Sequence, residues 1–149
     1  MQNLRFLDKR DARRIIEKIK GIYGISSLDF DYDILVSKKG RLFLISKAIK
    51  KIDLSRLNIN SLGLYFGTLE GDLRLSIEGS QLVGKKATKN IIEISDEDVK
   101  KWMSGNDIYT SSTSNHFVII KNKNDFLGSG KCSNGKILNY VPKSRRTKM

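Results

Sequence analysis

Residues 126–140 read FLGSGKCSNGKILNY, and Gly130, Gly135 and Lys136 fall at the G-x-x-x-x-G-K spacing of a phosphate-binding loop. That chemistry needs a Ser or Thr after the lysine to hold magnesium, and a helix behind the loop whose amides face the phosphates. Ile137 stands in the hydroxyl position, and KILNYVP alternates Ile137, Asn139 and Val141 before a proline, which is a strand pattern. Asn134-Gly135 between two such runs predicts a tight hairpin, because both central residues of that turn take positive φ. Gly128-Ser129-Gly130 is too short to be a phosphate cradle and fits the same ribbon.

Other reactive side chains are few. The single His116 opens a strand pattern, and the single Cys132 reads as a small core or edge residue. One of each cannot assemble a structural zinc site. Asp29, Asp31 and Asp33 alternate on the approach to a strand; they suit either a metal ion or a solvated edge, and the edge is the simpler reading. No G-x-G-x-x-G follows a strand and opens a helix. The chain is therefore expected to be no enzyme, with no cofactor and no metal. A small RNA-modifying enzyme using the three aspartates stands as the remote alternative.

Charge speaks louder than any motif. The 149 residues hold 28 Lys and Arg against 16 Asp and Glu, a net +12, which draws RNA, DNA or acidic membrane without choosing among them. Residues 121–149 carry eight of these cations against Asp125 alone, a net of +7. The end YVPKSRRTKM is either a loose basic tail or a positioned patch. Pro142, fixing the chain just after a strand, favours the patch. The longest apolar runs, LFLI and FVII, are far too short to span a bilayer. A lone cysteine and an N-terminal stretch without a signal-peptide core point to the cytoplasm.

These residues must be positioned by two blocks. Residues 8–23 form an amphipathic helix capped by Asp8 or Asp11, with Ala12, Ile15, Ile16, Ile19, Ile22 and Tyr23 on one face. Arg10, Arg13, Arg14 and Lys20 lie opposite, as a solvated face or an RNA contact. Hairpins follow about Lys38-Lys39-Gly40 and about Glu70-Gly71-Asp72, with a short helix in KAIKKI between them and a helical piece through Ser80 to Val83. Gly63 and Gly67 suggest a bulge or a close backbone contact. Small and basic residues at 84–90 make the best linker. Beyond it IIEI reads as a strand, and SDEDVKKWMSG as a helix capped by Ser95 and Asp98, stopped by Gly105, with Val99, Trp102 and Met103 inward. HFVIIK, DFLGSGKC and KILNYV complete a small β unit.

The run from Ile91 to Arg146 resembles a PUA domain, the RNA-binding β-barrel named after pseudouridine synthases and archaeosine transglycosylases. The resemblance rests on IIEIS, the acid-started helix ending at Gly105, HFVIIK, LGSGK and GKILNYVPKSRR. The last of these is similar to PUA modules of the Nol and Fmu class of RNA cytosine methyltransferases. SLGLYFGTLEGDLRLSIEGSQLV is similar to the pre-PUA domain of a ribosome-biogenesis family found in archaea and eukaryotes. The resemblance implies an α+β fold, with a mixed α/β pre-PUA domain at 1–88 packed on a PUA-type β pseudo-barrel at 89–149. It also implies non-catalytic binding of rRNA or tRNA, with ribosome-assembly or RNA-modification proteins as partners. The sequence departs from many PUA domains at NDIYTSSTSNHF, which has no Pro or Gly after Gly105; Ser, Thr and Asn build turns as well.

On that reading Lys131, Lys136 and Lys143 flank the hairpin and neutralise phosphates. Arg145 and Arg146 grip phosphate at two points or stack on a base. Gly128 and Gly130 let a sugar-phosphate backbone approach. Lys85, Lys86 and Lys89 extend the track, and Tyr109 and Tyr140 are either stacking platforms or core. The alternative role, from another class, is a protein-interaction accessory module for an RNA-modifying enzyme.

Overall fold

The computed structural model describes residues 4–47 and 63–148. The expected KAIKKI helix lies, but for its first residue, outside them. The described chain runs β1 (Leu4–Phe6), α1 (Lys9–Tyr23), β2 (Tyr32–Ser37), β3 (Arg41–Ser46), β4 (Leu64–Glu70), β5 (Asp72–Leu75) and α2 (Ile77–Gly84). It continues through β6 (Ile91–Glu93), α3 (Asp96–Met103), β7 (Ile108–Tyr109), β8 (Phe117–Asn122), β9 (Asp125–Ser133) and β10 (Lys136–Asn139) to a 3₁₀ turn at Lys143–Arg145. No described helix is long and apolar enough to cross a membrane.

The strands make two five-stranded sheets. The first is an antiparallel meander in the order β1-β2-β3-β4-β5. Its register slips once: Leu42 pairs Gly67 but Phe43 pairs Tyr65, so Phe66 is an extra residue. At Gly67 the backbone of β5 lies close against β4; a Cβ there would stand 2.5 Å from the carbonyl oxygen of Arg74. The bulge and the close contact expected of this strand are both present. The second sheet runs β6-β8-β9-β10-β7 and curls into a half-barrel, with β6 and β8 parallel and the other pairs antiparallel.

Local chemistry explains the helices. Asp8 caps α1 by accepting the Asp11 amide at 2.8 Å, and Gly24 ends it at φ 63°. Ile15, Ile19 and Tyr23 are buried while Arg10, Arg13 and Arg14 face solvent. Ser95 caps α3 through the Asp98 amide. Asp96 in its first turn accepts hydrogen bonds from Asn122 and Lys123, which hold its carboxyl below the ordinary carboxylate range. Helix α2 starts at Ile77, three residues before the expected Ser80. Ser76 caps it, accepting from the Gly79 amide while donating to the Tyr65 carbonyl at 2.6 Å.

The core does not stop at residue 88. Ile119 and Phe126 of the second sheet lie in one cluster with Ile15, Ile19, Tyr23, Phe66 and Val83. Ile77 of α2 belongs to the cluster around Trp102, Val118, Ile120 and Ile137. Helix α2 is thus wedged between the sheets, and the Gly128 amide donates to the Ser80 hydroxyl at 2.9 Å. The segment read as a linker is held down: Thr88 and Lys89 donate their amides to the Tyr23 carbonyl, and the Asn90 side chain donates to Ile22 at 2.6 Å. Small polar residues here serve as hydrogen-bonding partners for the end of α1 rather than as a free tether.

Candidate nucleic-acid interface

Asn134 and Gly135 take φ values of 50° and 79° between paired Ser133 and Lys136, so the run is a two-residue hairpin, not the mouth of a helix. The phosphate-loop spacing is incidental. Alternation along β9 and β10 then sorts the side chains. Gly130, Cys132 and Ile137 point inward; Lys131, Ser133, Lys136 and Leu138 point outward. Cys132 is 1% exposed and a core residue, and burial pushes its thiol pKa up against a weaker pull from Ser112.

The outward face carries cations over aromatic rings. Lys136 pairs Tyr109 across β10 and β7, its Nζ 5.8 Å from the ring centroid. Lys131 pairs Phe117 across β9 and β8, its Nζ 5.6 Å from that ring. Phe117 meets Tyr140 edge to face at 5.4 Å. Arg74, on the first sheet, lies 4.7 Å over the Tyr140 ring. Tyr109 is 82% exposed and Tyr140 38%, so both are surface rings rather than core. Cations and π-faces thus line the outer face of the second sheet in two groups, Lys136 with Tyr109 and Lys131 with Phe117 and Tyr140, and the Arg74–Tyr140 contact sets the first sheet beside them.

On the first sheet a separate group is set by register. Arg41 pairs Thr68 and Thr68 pairs Arg74, so both arginines occupy one face, two strands apart. Arg41 lies 6.0 Å over Tyr65, whose hydroxyl is tied to Thr68 at 2.5 Å. Reasoning from sequence passed over Arg41, Arg74 and Tyr65. The Glu70-Gly71-Asp72 turn pairs Thr68 with Arg74 by simple counting, but nothing local shows the β3–β4 pairing across its bulge.

The remaining predicted positions divide. Arg145 turns toward α2 and donates to Glu78 at 2.5 Å. Arg146 turns the other way, donating to the Val141 carbonyl at 3.1 Å and lying over Gly105 beyond α3. Lys143 is exposed on the 3₁₀ turn. Lys85, Lys86 and Lys89 are exposed at the C-terminal end of α2 and the connector after it, the opposite end of that helix from Glu78, with Lys89 packed on Gly24. Gly128 and Gly130 are buried. The space a side chain would need is filled by Ile77 at Gly128, and by Trp102 and Ile137 at Gly130. Their smallness serves internal packing rather than the approach of a sugar-phosphate backbone.

Among the acids, Asp31 lies 3.7 Å from Lys47, and the described residues contain no cluster of metal-ligating groups. His116 is exposed at the foot of β8. Residues 110–116 fold as a ladder of hydroxyl turns: Thr110 accepts from the Ser112 amide, Ser112 from Ser114, and Ser114 from His116. Hydroxyls here build a turn without Gly or Pro.

Residues 89–147 match the family model described as Methyltransferase RsmF PUA domain. The match coincides with the half-barrel and its helix, so this part of the chain is similar to that PUA domain in sequence and its fold is consistent with a PUA-type β domain. No curated protein matches the chain.

Proposed function

We propose that this protein binds RNA without catalysis, in the cytoplasm, as a factor in ribosome biogenesis or in rRNA or tRNA maturation. In this reading residues 1–88 act as a pre-PUA-like domain and 89–149 as the PUA domain. The observation that carries it is the set of cations and rings, Tyr109, Lys136, Lys131, Phe117 and Tyr140, on the outer face of a PUA-type sheet. The PUA domain is an RNA-binding module found in RNA methyltransferases, and the outer face supplies what RNA asks for: ammonium groups for phosphates and flat faces for bases.

The test is titration of a fluorescent RNA hairpin bearing a single-stranded tail, at several salt concentrations, with the wild-type chain and with Lys131→Ala/Lys136→Ala. Tight binding that weakens steeply with salt, and a shallower slope in the double variant, are expected. Absence of binding at low salt overturns the reading.

A second role has its own support. The matched family takes its name from a methyltransferase, so the chain also suits an accessory module that delivers RNA to a modifying enzyme. Co-purification of such an enzyme with the tagged chain, surviving ribonuclease treatment, separates this from action on RNA alone.

A further inference from the structure

Between the first sheet and the C-terminal turn lies a cleft of about 570 Å³. Its walls come from both halves: Arg41, Tyr65 and Arg74 on one side, Tyr140 and Arg145 on the other, with α2 and Glu78 at the floor. Among the described lining residues Glu78 is the one acid, against three arginines. Arg145 is paired with it. Arg41 and Arg74 form no ion pair with a described residue, and each lies over a tyrosine ring. A guanidinium stacked on a ring keeps its N–H edge free for phosphate oxygens, and Tyr140, although Phe117 also packs against it, keeps 38% of its surface exposed for a base.

We infer that this cleft receives an unpaired stretch of an RNA strand, one or two nucleotides long, beyond the reach of the outer face of the PUA sheet. The assignment rests on the RNA-binding reading above and extends it. Phosphates engage Arg74 and Arg41, and a base stacks against Tyr140 or Tyr65. The volume is that of a small-ligand site, so a strand end or splayed nucleotide enters where a duplex cannot. An acidic peptide would satisfy the arginines but leave the tyrosine faces unused. The Arg145–Glu78 pair is partly exposed and therefore weak, with side chains 47% and 31% accessible. Glu78 thus holds the third arginine until a phosphate replaces it.

The experiment compares two labelled probes on the full chain: a single-stranded octanucleotide and a blunt RNA hairpin of equal charge. Arg74→Ala weakens octanucleotide binding about tenfold while changing hairpin binding less than about twofold. Glu78→Gln, which frees Arg145, tightens the octanucleotide about threefold, a gain that misfolding cannot produce. Photo-crosslinking of a thiouridine-labelled octanucleotide to the wild-type chain yields adducts on the peptide bearing Tyr65, the cleft ring that the outer face does not share. Equal losses on both probes with Arg74→Ala, no gain with Glu78→Gln, or adducts confined to Tyr109, Phe117 and Tyr140 overturn the cleft assignment and leave RNA binding standing. Failure of the wild-type chain to bind either probe overturns the RNA reading itself. An acidic octapeptide that binds where the octanucleotide does not makes the cleft a protein-docking site and overturns the assignment.

Discussion

The guanidinium of Arg74 sits 4.7 Å from the centroid of the Tyr140 ring. Arg74 belongs to β5, the edge of the first sheet, and Tyr140 follows β10 in the second, so one stacked pair joins the two sheets at the surface. A partly exposed cation–ring contact of this kind couples its partners by about 0.5–2 kcal/mol. A double-mutant cycle with Arg74→Ala and Tyr140→Ala, read from urea midpoints, is expected to return a coupling in that range; strict additivity would show the pair to be energetically silent.

Tyr109 offers a cleaner separation of binding from folding. It is 82% exposed, and the cation over its ring is Lys136. Tyr109→Ala should leave the thermal midpoint within about 1 °C, because little buried surface is removed. RNA affinity should fall about fivefold to thirtyfold if a base stacks there. Paired calorimetry and anisotropy titrations decide it.

The adjacent Arg145 and Arg146 point to different neighbours, Glu78 and Val141. Arg145→Ala with Arg146→Ala is expected to weaken binding of an RNA hairpin with a single-stranded tail and to flatten its salt dependence. For each single-strand phosphate that is no longer neutralised, the logarithmic slope drops by about 0.7. An unchanged slope in the double variant would remove the C-terminal turn from the interface.

Gly130 tests packing beneath the outer face. A methyl group there would stand 2.6 Å from the Trp102 ring and 2.9 Å from the Leu138 carbonyl, with Ile137 closer still. Trp102 is anchored by its Nε1 donating to Leu127 at 2.9 Å and has no room to retreat. Gly130→Ala should cost about 1–3 kcal/mol of stability, measured by chemical denaturation.

Alkaline stability should follow Tyr23. Its hydroxyl and that of Ser129 are buried without a hydrogen-bond partner among the described residues. Burial pushes the phenol from 10 up to about 12, while the nearby Ser129 hydroxyl, short of bonding geometry, pulls weakly the other way. The native state therefore favours the neutral phenol. Its contribution is intact below pH 10 and is lost as pH rises toward 12, with a full size of about 3 kcal/mol. Tyr23→Phe should show a shallower decline in urea midpoint above pH 10 than the wild type.

How much of this was legible depends on whether the signal was local. Three hairpins show in the chain because Gly40, Gly71 and Gly135 mark their turns and alternating apolar residues flank them. Strands β1 and β7, of three and two residues, are too short for alternation to register. Helix α2 escaped its true start because it is buried on more than one side, with Gly79 against Phe66 and Gly84 against Phe126, and so lacks a polar stripe to phase it. The lysines of the outer face were visible as charge near a turn. Arg41 and Arg74 were not, since their meeting depends on a bulged pairing between strands with a long connection between them. Gly128 and Gly130 misled for a related reason: glycine marks close approach, but the approaching group is set by the tertiary fold, here Ile77 and Trp102.

The apolar cluster that draws Phe126 and Ile119 in beside Tyr23 and Phe66 has a practical corollary. Severing the polypeptide after position 88 would strip both side chains of their cover, leaving a greasy wound on the excised barrel. Such a fragment should be sticky and short-lived, whereas the intact chain should melt in a single step.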